Sequence, residues 1–288
     1  RGDRCGRVTG GVLPGRRIVE VSRPRFWFYL AGPVIVGGIF GATSTVTLFE
    51  PIALAYLAYF LLPANVFLYG VNDLYDAQID QANPKKAEYE SRWEGRWTTV
   101  AAVVLSAGGG LALTAVSAPV AWPAMGGFLL LAWQYSAPPG RFKTTPVADS
   151  LSNGLYILPG VAIYAQQSGT LPPTAVVVGA WLWSMAMHTY SAVPDIGPDR
   201  TAGITTTATW LGHHRTLWYC GVVWTGAAVA FGIVDVRWGG LMLLYPLLLL
   251  LWQRLGIPTA RAYWYYPWIN TAVGAIIANA GLWGLLYG

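Results

Sequence analysis

Seven stretches of this chain contain no Asp, Glu, Lys or Arg: residues 26–49, 51–72, 97–140, 150–194, 216–234, 238–253 and 262–288. A helix rises about 1.5 Å per residue and needs roughly 20 apolar residues to cross a hydrocarbon core about 30 Å thick. Five of the stretches fit one crossing each. The two longest, 97–140 and 150–194, fit two apiece around an uncharged turn. Nine helices are therefore expected, in an all-α, polytopic membrane domain. Charged residues make up 11% of the 288, against about 25% in a soluble domain. That distribution excludes a soluble enzyme, a disordered chain and a single-anchor protein.

The expected helices cover 24–42, 51–76, 97–116, 119–136, 147–166, 173–194, 214–233, 238–255 and 264–287, punctuated by Pro119, Pro138-Pro139-Gly140, Pro172-Pro173 and Gly239-Gly240. Trp27, Trp97, Trp133, Tyr135, Trp238 and Trp264 sit near proposed helix ends, as interfacial aromatics do. The net charge of +5 invites a nucleic-acid partner, but the positions of the charges argue against one. Seven Arg fall within the first 25 residues, and of the 18 basic residues only Arg237 lies on the outer side of a nine-helix topology. The positive-inside rule then places the N-terminus and the even-numbered helix ends in the cytoplasm of a cell-membrane protein. Residues 1–22, rich in Gly and Arg, are expected to form a poorly ordered cytoplasmic arm, and 23–288 a single intramembrane domain. Cys5 and Cys220 form no paired framework and are read as inert thiols.

Two inner segments break the apolar pattern. Helix 2 runs into Asn72-Asp73-Leu-Tyr-Asp76-Ala-Gln-Ile-Asp80, and helix 6 ends in Asp195-Ile-Gly-Pro-Asp199-Arg200. Asn72, Asp76 and Asp80 are spaced i, i+4, i+8 and so share one helix face, with Asp73 flanking it. Two like charges about 4 Å apart cost about 4 kcal/mol at an effective dielectric near 20. Five carboxylates at one mouth therefore call for a cation between them. Oxygen donors without His or Cys select a hard ion, Mg²⁺ first, which completes its shell with phosphate and water. Arg23, Lys85, Lys86, Arg141, Lys143 and Arg200 lie on the same side and can clamp a polyanion. Together with apolar helices, this pattern points to a substrate with a diphosphate head and a greasy tail, an isoprenyl diphosphate.

The first cluster resembles the NDxxDxxxD motif of the UbiA-type intramembrane prenyltransferases, and Asp195 to Asp199 resembles that family's second, DxxxD motif. Arg23-Pro24 before helix 1 and the Tyr135 to Lys143 loop extend the likeness over the whole chain. The resemblance implies nine helices around a central, lipid-open cavity. It implies Mg²⁺ held by Asn72, Asp73, Asp76, Asp80, Asp195 and Asp199, with Asp76, Asp195 and Asp199 carrying the catalysis. It also implies diphosphate contacts from Arg23, Lys86, Arg141 and Lys143. A narrower likeness, across Ser191 to Gly212 and Asn83-Pro84-Lys85-Lys86, is to the lycopene elongase branch. The donor implied is dimethylallyl diphosphate and the acceptor an apolar polyene such as lycopene, reached through membrane lipid. Haloarchaeal members of that branch are expected to be acidic, so a charge of +5 points to a bacterial or low-salt host.

Other readings follow from single residues. His188 is either a base near the cavity or a helix histidine satisfied by a neighbour; the second is the commoner case. His213 and His214 are read as solvated. Asp149 and Asn153 either orient Lys143 and line the pocket or simply cap a helix. The aromatic excess could stabilise a carbocation through π faces, although interfacial anchoring explains most of it. An aromatic or other lipid-pathway acceptor is the alternative within the family. A transporter is the alternative outside it, but that would place its ionisable groups near the bilayer midplane.

Overall fold

The computed structural model describes residues 14–80 and 96–288 and, at the level of side chains, 18–75 and 97–288. Among these residues the chain is helical, with no strand. The helices are α1 (Pro14–Val21), α2 (Trp27–Gly41), α3 (Pro51–Leu61), α4 (Pro63–Asp80), α5 (Arg96–Val116), α6 (Trp122–Ser136), α7 (Ala148–Leu151), α8 (Leu158–Ser168) and α9 (Thr174–Ser191). There follow α10 (Ile196–Thr201), α11 (Thr207–Leu211), α12 (His213–Val234), α13 (Val236–Met242), α14 (Leu244–Arg254), α15 (Thr259–Tyr263) and α16 (Tyr266–Tyr287). Five runs are long and apolar enough to cross a bilayer: Pro51–Tyr75, Trp97–Val116, His213–Val234, Val236–Arg254 and Thr259–Tyr287. The chain is a multi-pass membrane protein.

Each expected span coincides with helix, but three of them are divided. The second breaks between α3 and α4 at Pro63, which has no N–H to donate and clashes with the preceding turn. Asn65, fully buried, repairs the break: its amide donates to the carbonyls of Phe60 (3.0 Å) and Leu61 (3.1 Å). In a membrane interior, freed backbone groups need such partners. The fifth span separates into α7, a 3-10 stretch over Ser152–Tyr156, and α8. Here α9 supplies the partners, with Trp181 Nε1 donating to Leu151 O (2.9 Å) and Ser184 Oγ to Asn153 O (2.6 Å). A Cβ on Gly154 would lie 1.8 Å from the Trp181 ring, so only glycine admits this contact. The eighth span divides at Leu243, and the ninth is continuous over Tyr266–Tyr287, with the short α15 just before it.

The expected disorder of the arm is corrected over its last residues. Residues 14–21 form α1, which packs on α4, and Val21 and Ser22 are buried. Trp27 Nε1 donates to Ser22 Oγ at 2.8 Å, and a buried hydroxyl with a fixed partner ties the arm to the start of α2. Residues 1–13, including Cys5, lie outside the described residues.

Buried side chains gather in two clusters, one spanning Leu30 to Ile163 and one spanning Ala186 to Val273. The halves meet where α9 packs on the 152–156 stretch and where α16 returns to α2. Within the first half, α2 and α8 touch backbone to backbone. A Cβ on Gly37 would sit 2.1 Å from Gly160 O, and one on Gly41 would sit 2.8 Å from Tyr164 Cα. This small-xxx-small seam gains close dispersion contact where lipid offers no hydrophobic drive. Gly37→Leu should therefore sharply reduce folded protein in membranes, measured as detergent-extracted monodisperse chain, whereas Gly32→Leu, where a Cβ meets nothing within 4 Å, should not.

Candidate active site

Each of the two acidic motifs sits at a helix end and is held by residues from distant parts of the chain. Asn72 and Asp73 lie in α4, whose helical backbone continues through Asp76 and Asp80. The Asp76 and Asp80 side chains, and Lys85 and Lys86 entirely, lie outside the described residues. Arg23 reaches Asp73, with Nη2 donating to Oδ1 at 3.0 Å, and its guanidinium stands 4.5 Å above the Tyr69 ring. Both partners are largely buried, 12% and 14% exposed, where a charge-assisted bond is stronger than at a surface. Arg23, expected to contact diphosphate, thus also fixes the first carboxylate of the first motif.

The loop after α6 brings the other cations. Gly140 N donates to Gln134 Oε1 (2.7 Å), which turns the chain back towards α4. Lys143 Nζ donates to Asn72 Oδ1 at 3.3 Å. Burial and the nearby Arg23 guanidinium push the Lys143 ammonium down to about 7, against the pull of Asp73. A cation desolvated in this way gains more from an arriving anion than a solvated lysine would. Among the described residues only Arg23 (φ 52°), Arg141 (φ 41°) and Val147 (φ 70°) have positive φ without being glycine. Such backbone costs of order 1 kcal/mol or more per residue and tends to gather at ligand sites.

Asp195 ends a 3-10 turn over Val193–Asp195, and Asp199 lies in the short α10. Arg200, expected in the clamp, instead donates to Thr209 O (2.8 Å) and braces α10 against α11. Asp149 does not cap its own helix; it ties that helix to α11. It is fully buried and accepts from the Thr207 backbone N–H (3.0 Å) and the Thr207 hydroxyl. The Val147 N–H donates to Thr207 Oγ1 (2.7 Å), and the Thr205 hydroxyl to Thr144 O (3.0 Å). These bonds staple the segment after the second motif onto the loop that carries Lys143.

What joins the motifs is a group of tyrosines that the sequence did not single out. Tyr69, one turn before Asp73, is within hydrogen-bonding reach of Tyr156. The Tyr156 ring meets that of Tyr29 edge-on at 6.1 Å, and Phe26 packs on Tyr29 (5.6 Å) and Tyr69 (6.0 Å). Tyr135 and Tyr263 also neighbour Tyr156; Asp199 acts electrostatically on Tyr135, and Asp195 on Tyr263. Both motifs therefore act electrostatically on members of one aromatic group, Asp73 through Arg23 over Tyr69 and the second motif through Asp195 and Asp199. Among the described residues no three His, Cys, Asp or Glu side chains are grouped to hold a metal ion. The Asp76 and Asp80 carboxylates are not among these residues. The donor chemistry of the motifs fits Mg²⁺, being carboxylate and amide oxygen throughout.

The model of the UbiA prenyltransferase family matches residues 30–267. The chain belongs to this family. A lycopene elongase/hydratase of Haloferax volcanii is 56% identical over 290 residues, covering 98% of this chain and 94% of that protein. One of Halobacterium salinarum is 53% identical, covering 95% and 99%. The narrower likeness to lycopene elongases is thus borne out. Structures of a UbiA homolog from Archaeoglobus fulgidus, bound to GPP and Mg²⁺ or to DMAPP and Mg²⁺, superpose at TM-score 0.75 with 20% identity. They cover 92% of this chain and 99% or 98% of theirs, which establishes the shared fold.

Proposed function

We propose that the chain transfers a prenyl group from a prenyl diphosphate, dimethylallyl diphosphate first, to lycopene or a similar apolar polyene. Two cations from distant segments set against the first acidic motif, Arg23 on Asp73 and Lys143 on Asn72, carry this reading, and relatives at 56% and 53% identity that bear the name lycopene elongase/hydratase support it. In this reading nine helices cross the cell membrane around a lipid-open cavity, with the N-terminus and the site's mouth in the cytoplasm. Asn72, Asp73, Asp76, Asp80, Asp195 and Asp199 would hold Mg²⁺, which when bound supplies Lewis-acid neutralisation of the departing diphosphate.

The protein's own groups do the rest. Arg23, Lys86, Arg141 and Lys143 bind the diphosphate and stabilise its growing charge as the C1–O bond breaks. Apolar helix faces keep water from the allylic cation, and the rings of Tyr69 and Tyr156 offer it their π faces. The acceptor's π electrons then form the new C–C bond. An aromatic acid acceptor would bring a carboxylate in need of a cation beside the reacting carbon, and the long spans carry none. In membranes containing the chain, labelled dimethylallyl diphosphate, Mg²⁺ and lycopene should yield labelled carotenoid. Label entering hydroxybenzoate or chlorophyllide, with none in carotenoid, would assign the chain to another branch.

A further inference from the structure

Prenyl transfer to an alkene leaves one step for which the two motifs provide no group. Once the acceptor's π pair has closed the new C–C bond, a tertiary cation remains and one proton must leave. Carboxylates committed to a cation are poor proton acceptors, and the diphosphate lies at the mouth. A group outside the two motifs is needed.

His188 is such a group. It lies on α9, seven residues before Asp195, which corresponds to roughly 10 Å along a helix. Its Nε2 is 3.4 Å from the Tyr135 hydroxyl, and the two rings meet edge-on at 5.9 Å between centroids. Both residues are partly buried. Tyr135 is also in reach of the Asn153 amide and neighbours Tyr156 and Asp199. It therefore stands between the shared tyrosine group and the imidazole. A contact of 3.4 Å is loose for a hydrogen bond, but catalytic pairs commonly tighten only when substrate is bound.

Resting on the function proposed above, we propose that Tyr135 and His188 form the terminal proton acceptor of the reaction. The C–H pair beside the cation becomes the new double bond. The proton passes to the Tyr135 oxygen while the tyrosine's own proton moves to His188 Nε2. Tyr135 ends neutral and His188 ends as imidazolium, shedding its proton to water when diphosphate has left the mouth. The same relay serves if water captures the cation, because that route also releases one proton. Tyr135 is the catalytic residue and His188 acts through it.

The test uses the full chain in membranes with lycopene, dimethylallyl diphosphate and Mg²⁺, comparing wild type with His188→Ala, His188→Gln and Tyr135→Phe. General-base assistance contributes about 10²-fold or more, so each variant should lose turnover by about that factor while the donor KM stays within about twofold. Added imidazole should restore His188→Ala and leave Tyr135→Phe unchanged. The pattern of double-bond isomers should broaden in all three, which a purely structural role would not cause. His188→Gln keeps a polar partner for Tyr135, so its accumulation at wild-type level separates chemistry from folding. Wild-type turnover with an unchanged product pattern in that variant overturns the inference, as does a His188→Ala loss that imidazole does not relieve. A wild-type chain that prenylates no lycopene contradicts the functional reading itself.

Discussion

Asp195→Ala and Asp76→Ala should each abolish prenyl transfer in membranes where the protein still accumulates, with a loss of about 10³-fold or more. Lewis-acid stabilisation of a departing diphosphate is worth several kcal/mol, and each 1.36 kcal/mol is a factor of ten in rate. The two residues come from different motifs, four expected spans apart. Equal losses would place them in one site. Chelation with EDTA should stop wild-type turnover and Mg²⁺ should restore it, while neither treatment should alter the residual rate of the variants. Full activity in either variant would dismantle the two-motif site.

Lys143→Met should weaken donor binding about 10–100-fold and leave acceptor dependence unchanged. A hydrogen bond to a charged group contributes about 1.5–3 kcal/mol, and burial places Lys143 towards the upper end of that range. Its ammonium already stands close to the Arg23 guanidinium, whose repulsion helps push it down to about 7. Methionine removes that repulsion and keeps the stem's apolar volume, so the variant should fold. The loss should appear in the KM for dimethylallyl diphosphate and be read against lycopene at saturation. An unchanged donor KM would mean that the loop serves topology alone.

The spans were legible because charge-free runs of this length have one physical use, and both acidic motifs were legible because Asp is costly beside a membrane unless it binds something. The helix breaks were harder to read. Pro63 is visible in the sequence, but its repair depends on Asn65 folding back onto Phe60 and Leu61. The 152–156 break lies in the turn before Pro159, and the close packing of Trp181 of α9 against Gly154 that accompanies it is visible only in the fold. Asp149 was left open between lining the pocket and capping, and only the fold shows its partner to be Thr207, 58 positions away. Arg200 shared its neighbours' charge but not their direction. The tyrosine group was hidden in a sequence holding 16 Tyr and 15 Trp, most of which suit an interface or a core. A Tyr69 next to a cation differs from a packing Tyr only in three dimensions.

The measurement that bears most directly on the central claim is the carotenoid profile of lycopene-making cells that express this chain. Dimethylallyl transfer to one or both ends of the C40 polyene should convert lycopene into C45 and C50 products, and cells carrying Asp195→Ala should retain lycopene. Lycopene left unaltered by the accumulated wild-type chain, or the same C50 products in the Asp195→Ala cells, would contradict it.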